Sequence, residues 1–223
     1  MCCLFGLIDT ELRFTGKEKS KMLHVLASAS EERGTDATGV AYDSGRNLHF
    51  YKKPIPGHKL NFYIRDDSRF AMGHTRMTTQ GSARKNYNNH PFRGITQTGT
   101  FALAHNGVLD NDISLRKSLH LPSTRIETDS YIAVQLIVQK GILSFDSLRY
   151  MAELLEGSFT ITVLGDGGSL YIVKGDNPKT NKSRPVTRAA EGGEVMRFQN
   201  GTWSCGGKSF STLHEALLSV WPK

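Results

Sequence analysis

Cysteine is scarce in this 223-residue chain, with three in all. Cys2 and Cys3 are adjacent and Cys205 is far away, so they form no disulfide framework. That pattern points to a reducing, cytoplasmic setting. There the tripeptides Asn181-Lys182-Ser183 and Asn200-Gly201-Thr202 stay unglycosylated. Long apolar runs are also missing. Asp9, Glu11 and Arg13 interrupt the opening apolar segment, and no basic region precedes it, so neither a signal peptide nor a membrane span is expected. No internal repeat, low-complexity block or convincing linker divides the chain, and one domain over residues 1–223 is expected. With 38% hydrophobic and 22% charged residues and a mean hydropathy of -0.36, the composition excludes a disordered or membrane chain.

Acidic residues are the minority charge, 21 against 28 basic ones, for a net charge of +7. A basic balance raises the question of nucleic acid. Yet the densest groups, Lys17, Lys19 and Lys21, and Lys179, Lys182, Arg184 and Arg188, are short and carry no interleaved aromatics. A solvated surface accounts for them, and no nucleic-acid partner is expected. An anionic substrate or partner surface fits the charge better.

The patterning that is present alternates between two periods. Residues 3–8 read as a buried strand and 17–32 as an amphipathic helix whose apolar face holds Met22, Leu23, Val25, Leu26 and Ala29. Strands follow at 39–42 and 48–52, with Asp43-Ser44-Gly45 as their turn, and at 70–75. A long polar segment covers 78–94. Residues 101–105 are strand-like, and Asn106-Gly107 is expected to interrupt that strand with a turn. Helical stretches at 114–119, 129–139 and 145–155 precede a hairpin of 158–164 and 169–174 around Gly165-Asp166-Gly167-Gly168. An exposed loop over 176–193, a strand pair at 195–198 and 202–205, and a closing helix at 213–220 complete the reading. Strands, then helices, then strands again predict an α+β or layered architecture with mostly antiparallel strands.

Chemistry gathers at loop and strand ends: Arg33 to Gly39, Gly73 to Thr79, Asn89-His90-Pro91, Ala104 to Gly107, and Glu127 to Ser130. Together with Cys2 they supply a thiol, a guanidinium suited to grip a carboxylate with two prongs, an Asn-Gly pair of hydrogen-bond donors and an acid for an ammonium. That set matches a free amino acid with an amide side chain. Removal of Met1 would leave Cys2 with an α-amine beside its thiol, so that nucleophile and base share one residue. The competing reading is that Cys2 and Cys3 merely begin a buried strand, since free cysteine packs as a small hydrophobe.

In order and spacing these segments resemble the class II glutamine amidotransferase domain, one of the N-terminal-nucleophile hydrolases, from Cys2 to about Leu164. The resemblance implies an α+β, four-layer αββα sandwich with two mostly antiparallel sheets, and residues 165–223 as a family-variable portion. It implies Cys2 as nucleophile with its α-amine as base, and Asn106 and Gly107 as the oxyanion hole. Arg76 would bind the α-carboxylate of glutamine, Asp129 its α-ammonium, and Thr79 would help hold it. Arg33 and Asp36 match a supporting arginine-glycine-x-aspartate stretch. His74, His90 and His105 fit no common zinc spacing and read as hydrogen-bonded structural histidines, His90 fixing the loop over the site. No metal or other cofactor is implied. Glutamine is the implied substrate, and a separate synthetase subunit the implied recipient of ammonia, because the roughly sixty residues after 164 are few for a synthase domain. Two alternatives stay open: a hydrolase of another γ-glutamyl amide, and a catalytically silent module of the same fold. The chain departs from the family pattern at Cys3, Met77, Gln80 and Tyr131.

Overall fold

The computed structural model describes residues 2–177, 193–199, 202–205 and 208–211. Two antiparallel sheets carry the fold. Sheet A has the order β1-β4-β2-β3, formed by β1 (Cys3–Ile8), β2 (Ala37–Ser44), β3 (Asn47–Lys53) and β4 (Phe70–Arg76). Sheet B runs β11-β10-β9-β8-β7-β6-β5, with β5 (Phe92–Thr96), β6 (Gly99–Leu109), β7 (Gly157–Gly165), β8 (Ser169–Asn177), β9 (Gly193–Gln199), β10 (Thr202–Cys205) and β11 (Lys208–Phe210). Among the described residues four α-helices accompany them: α1 (Gly16–Ala29), α2 (Asp112–Ser118), α3 (Tyr131–Gln139) and α4 (Phe145–Leu154).

Alternation along the strands sorts side chains into layers, because successive residues of a strand point to opposite faces. Phe70 and Met72 of β4 and Ala41 of β2 meet Ala102 and Ala104 of β6 and Leu164 between the sheets. The intervening Val40, Tyr42 and Ala71 face the other way and pack with Leu23 of α1. On sheet B, Phe101 and Leu103 turn from the alanines toward Ile132, Leu136, Leu148 and Met151 of α3 and α4. The layers are therefore α1, sheet A, sheet B and the α3–α4 pair, the four-layer αββα sandwich implied by the resemblance.

Local chemistry sets the element ends. Thr15 caps α1 in a capping box, its hydroxyl accepting from the Glu18 N–H while the Glu18 carboxylate accepts from Thr15 N at 2.9 Å. The first hairpin turns at Gly45-Arg46 rather than at Asp43-Ser44-Gly45, since Asp43 and Ser44 still pair with Leu48 and Asn47. Asp43 and Ser44 are held in β2 by their side chains: Asp43 accepts from Phe70 N at 2.7 Å, and Ser44 bonds Asp67. The expected break at Asn106-Gly107 does not occur. β6 runs through it, with Asn106 opposite Thr160 and Gly107 opposite Phe159. Gly107 accommodates this at φ +146, where a Cβ would meet the Ser158 carbonyl oxygen at 2.0 Å. β5 begins inside the polar segment expected at 78–94, and β11 matches no expected element. Most of the expected loop at 176–193, and the closing helix at 213–220, lie outside the described residues, although β8 extends through Asn177. Among the described residues no helix is long and apolar enough to cross a membrane.

Candidate active site

One end of the space between the sheets collects the residues singled out from sequence. On β4 the residues facing sheet B are Phe70 and Met72, and the same parity continues through His74 to Arg76. On β1, Leu4 and Ile8 pack between the sheets, whereas Phe5 and Leu7 pack toward α1. Cys2 therefore shares the inter-sheet side with Leu4, and Cys3 shares the opposite side with Phe5. Ala102 and Ala104 of β6 face sheet A, which directs the Asn106 side chain into the same space. Cys3 pairs with Thr75, so Cys2 lies beside Arg76 across the β1–β4 ladder. Alternation thus puts Cys2, Arg76 and Asn106 on the inter-sheet side and separates the two adjacent thiols.

The Cys2 thiol is half-buried and donates to the Met77 carbonyl at 3.6 Å. Burial pushes its pKa up; the backbone at Met77 and the Arg76 charge pull against that, and the Asp129 charge adds to it. Arg33 Nε donates to the Cys2 carbonyl oxygen at 3.1 Å. Asp36 accepts from Thr78 N at 2.7 Å, and its own N–H donates to the Arg76 carbonyl at 3.0 Å. A Cβ on Gly34 would strike the Arg76 and Met77 backbone at 2.4–2.6 Å. The Arg33 to Asp36 segment thus braces the start of β1 and the end of β4.

Arg76, 3% exposed, organises the loop that follows β4. Its Nη1 donates to Asn89 Oδ1 at 2.7 Å, and its Nη2 to the carbonyls of Gln80 at 2.5 Å and Gly81 at 3.0 Å. The two-pronged edge expected to grip a carboxylate is thus engaged by protein acceptors, leaving Nε–H and one Nη1–H. Glu127 pins the loop from the other side, accepting from Ser82 N, Asn88 Nδ2 and Lys85 Nζ. Lys52 Nζ reaches the Asn89 and Pro91 carbonyls at 2.6 and 3.1 Å, and burial, with the Arg76 charge, lowers its pKa to about 8.

Asp129 joins this loop to β6. Its Oδ2 accepts from Leu109 N at 2.8 Å, its Oδ1 from Ser130 N and Oγ, and its N–H donates to Gln80 Oε1 at 3.1 Å. Ser130 Oγ is also 2.8 Å from His105 Nδ1. Behind Asn106, His74 Nε2 bonds the His105 carbonyl at 3.0 Å. His90 departs from the hydrogen-bonded role expected of it: both ring nitrogens are buried with no partner among the described residues. It packs instead against His74 at 4.2 Å and Phe92 at 4.4 Å in tilted ring contacts, and aromatic packing holds it in place of polar bonds. Burial keeps His74 neutral, with a pKa of about 3, and pushes His90 and His105 well down. Among the described residues no cluster of His, Cys, Asp or Glu is arranged to hold a metal ion.

Thr79 is exposed at the start of the loop, and Gly107 is exposed where β6 emerges. Sequence reasoning missed roles for Lys52, Asn89 and Gln80; no local pattern announces them, because each acts on a segment remote in the chain. A polar cavity of about 280 Å³ lined by Thr96, Thr98, Thr100, Asp166 and Ser169 lies elsewhere. It sits at the start of β6, about seven residues or roughly 23 Å from Asn106 at the strand rise.

The chain resembles several known proteins. Glutamine–fructose-6-phosphate aminotransferase of Bacillus licheniformis is 30% identical over 190 residues, which are 80% of this chain and 30% of that protein. Amidophosphoribosyltransferase of Methanocaldococcus jannaschii is 24% identical over 235 residues, 90% of this chain and 48% of that one. The chain therefore spans less than half the length of these relatives. Among solved structures, the allosteric regulatory enzyme of purine biosynthesis superposes with a TM-score of 0.67 at 19% identity, covering 93% of this chain and 49% of its own. The glutamine phosphoribosylpyrophosphate amidotransferase of B. subtilis does so with a TM-score of 0.57 at 19% identity, covering 78% and 36%. These two likenesses concern the fold. No protein-family model matches the chain.

Proposed function

Because the chain belongs to the class II glutamine amidotransferase domains of the N-terminal-nucleophile hydrolases, we propose that it hydrolyses the side-chain amide of glutamine and supplies the ammonia to a synthase domain or subunit. The single observation that carries this reading is the shared inter-sheet side of Cys2, Arg76 and Asn106, with the charges of Arg76 and Asp129 both acting on the Cys2 thiol.

With Met1 removed, the α-amine of Cys2 takes the thiol proton, which the raised thiol pKa makes necessary at neutral pH. The thiolate attacks the side-chain amide carbon. Charge developing on the carbonyl oxygen is met by the Asn106 side-chain amide and the Gly107 N–H; loss of one such donor costs about 2.7–4 kcal/mol in other acyl-transfer enzymes. The ammonium of Cys2 returns its proton to the leaving nitrogen, the C–N bond breaks, and ammonia departs. Water then cleaves the γ-glutamyl thioester to glutamate and free Cys2. Arg76 holds the α-carboxylate and Asp129, with one remaining acceptor site on its carboxylate, the α-ammonium. Thr79 lines the entrance; Arg33, Asp36 and His90 support the site from behind.

Turnover of glutamine by the chain lacking Met1 tests this directly. Glutamate and ammonia should form in equal amounts, Cys2→Ala should abolish both, and Cys3→Ala should retain them because its side chain faces α1. The reverse pattern would falsify the nucleophile assignment. Turnover of bulkier γ-glutamyl amides without turnover of glutamine would move the substrate assignment to that class.

A further inference from the structure

Lys52 stands on β3, at the edge of sheet A opposite to the strand that Cys2 precedes. Its ammonium reaches the segment that leads into β5 of sheet B. Nζ donates to the carbonyls of Asn89 at 2.6 Å and Pro91 at 3.1 Å and lies 5.3 Å from the centre of the Phe92 ring. The Lys52 backbone carbonyl accepts from Asn86 Nδ2 at 2.9 Å, so this one residue grips the loop after β4 at three points. Gly39, the partner of Lys52 in the β2–β3 ladder, makes the reach possible. A Cβ on Gly39 would strike the His90 carbonyl oxygen at 2.0 Å and Pro91 Cδ at 2.9 Å, so residues 90–91 rest directly on the backbone of sheet A.

Among the described residues the ammonium is met by carbonyls and a ring and by no carboxylate, and both burial and the Arg76 charge disfavour it. A cation kept in such a place is costly unless its hydrogen bonds are used. An aliphatic stem of the same length would fill the space without that cost, but would leave the Asn89 and Pro91 carbonyls without their donor. Asn89 carries the constraint onward. Its Oδ1 accepts from Arg76 Nη1 at 2.7 Å, while its Nδ2 donates to the Ala83 carbonyl at 2.8 Å and to Asn86 Oδ1 at 3.2 Å. A guanidinium is planar, with its N–H directions fixed relative to one another. The Asn89 oxygen, together with the Gln80 and Gly81 carbonyls, therefore sets the direction of the Arg76 N–H groups that remain.

We propose that Lys52 is a positioning residue for glutamine hydrolysis: its ammonium fixes the Asn89 backbone, and Asn89 aims the Arg76 guanidinium. This rests on the glutamine-hydrolysing reading above and extends it to a residue at the far edge of sheet A. Steady-state kinetics on the chain freed of Met1 test it. Lys52→Met should raise the KM for L-glutamine about tenfold while kcat stays within about threefold, the pattern of an interaction made equally in the ground and transition states. Asn89→Ala, which breaks the same path from its other end, should raise KM to a similar degree. The double variant should be no worse than the worse single one, because residues acting through one another are not additive. An unchanged KM in Lys52→Met, even with a lowered urea midpoint, overturns the role of Lys52, as do increases in KM that multiply in the double variant. An unchanged KM in Asn89→Ala overturns it too, and reports even if the Lys52→Met chain does not fold. A wild-type chain, freed of Met1, that hydrolyses no glutamine overturns the underlying site reading and this assignment with it.

Discussion

His74 Nε2 lies 3.0 Å from the carbonyl oxygen of His105, and this bond ties the buried end of β4 in sheet A to β6 in sheet B. A carbonyl can only accept, so His74 carries its proton on Nε2. The bond fixes β6 one residue before Asn106 and β4 two residues before Arg76, so it sets how far apart those groups stand at the cleft.

His74→Phe keeps the ring and removes the donor. The His105 carbonyl is then buried without that partner, which costs about 1–3 kcal/mol. The expected outcome is a lower urea midpoint together with a fall in kcat for glutamine, as Asn106 loses its tether. A stability loss with kcat unchanged would confine His74 to packing.

Acid should destabilise the fold steeply. His74, His90 and His105 are 1%, 4% and 2% exposed and remain neutral when folded, His74 down to a pKa of about 3. In the unfolded chain histidine takes up a proton near pH 6.5. Below 6.5 and above the folded values, the unfolded state holds more protons, so stability is full above pH 6.5 and declines as pH falls through that window. Each histidine contributes a slope of about 1.4 kcal/mol per pH unit, or roughly 4 kcal/mol per unit for the three near pH 5. Urea unfolding at pH 7.5, 6 and 5 measures this. His90→Phe, which keeps an aromatic ring in contact with His74 and Phe92 and removes two nitrogens without partners among the described residues, should reduce the slope by about one third.

Gly107→Ala should disrupt the end of β6. The added Cβ falls 2.0 Å from the Ser158 carbonyl oxygen, on a backbone at φ +146. Backbone strain and overpacking each cost on the order of 1–3 kcal/mol. Thermal unfolding should shift down and glutamine turnover should vanish, because the N–H assigned to the oxyanion moves with the strand.

Lys19→Met tests a buried ion pair far from the site. Lys19 is 1% exposed, 3.1 Å from Asp9, and also donates to the Asp66 and Ser68 carbonyls. Removing the ammonium leaves Asp9 uncompensated, an effect on the order of 3–5 kcal/mol. Chemical denaturation should show that loss, and Lys19→Met with Asp9→Asn should recover part of it.

The period-3.6 and period-2 patterns placed most elements in the described residues within a few positions, since side-chain alternation against water is a local property. The capping residues Thr15 and Ser144 act within their own helices and were in principle readable. β5 was missed because Arg93, Gly94 and Thr96 dilute its alternation, and the break at Asn106-Gly107 was expected from turn propensity that pairing with β7 overrides. Cys2 rather than Cys3 was singled out by the resemblance and not by the strand pattern, since both faces of β1 are apolar: Leu4 and Ile8 on one, Phe5 and Leu7 on the other.

What the chain alone determined was the order and kinds of most of its elements and the set of groups from which the proposed site is drawn: a thiol at position 2, Arg76, an Asn-Gly pair and Asp129. Tertiary structure decided that Cys2 lies on the inter-sheet side and Cys3 on the other, that the outer edge of the Arg76 guanidinium is engaged by its own loop, and that Gln80 reaches Asp129. The physical reason is range. Periodicity and capping act over a few residues, whereas the His74–His105 and Gln80–Asp129 bonds join positions 31 and 49 residues apart, and such pairings exist only once the two sheets are stacked.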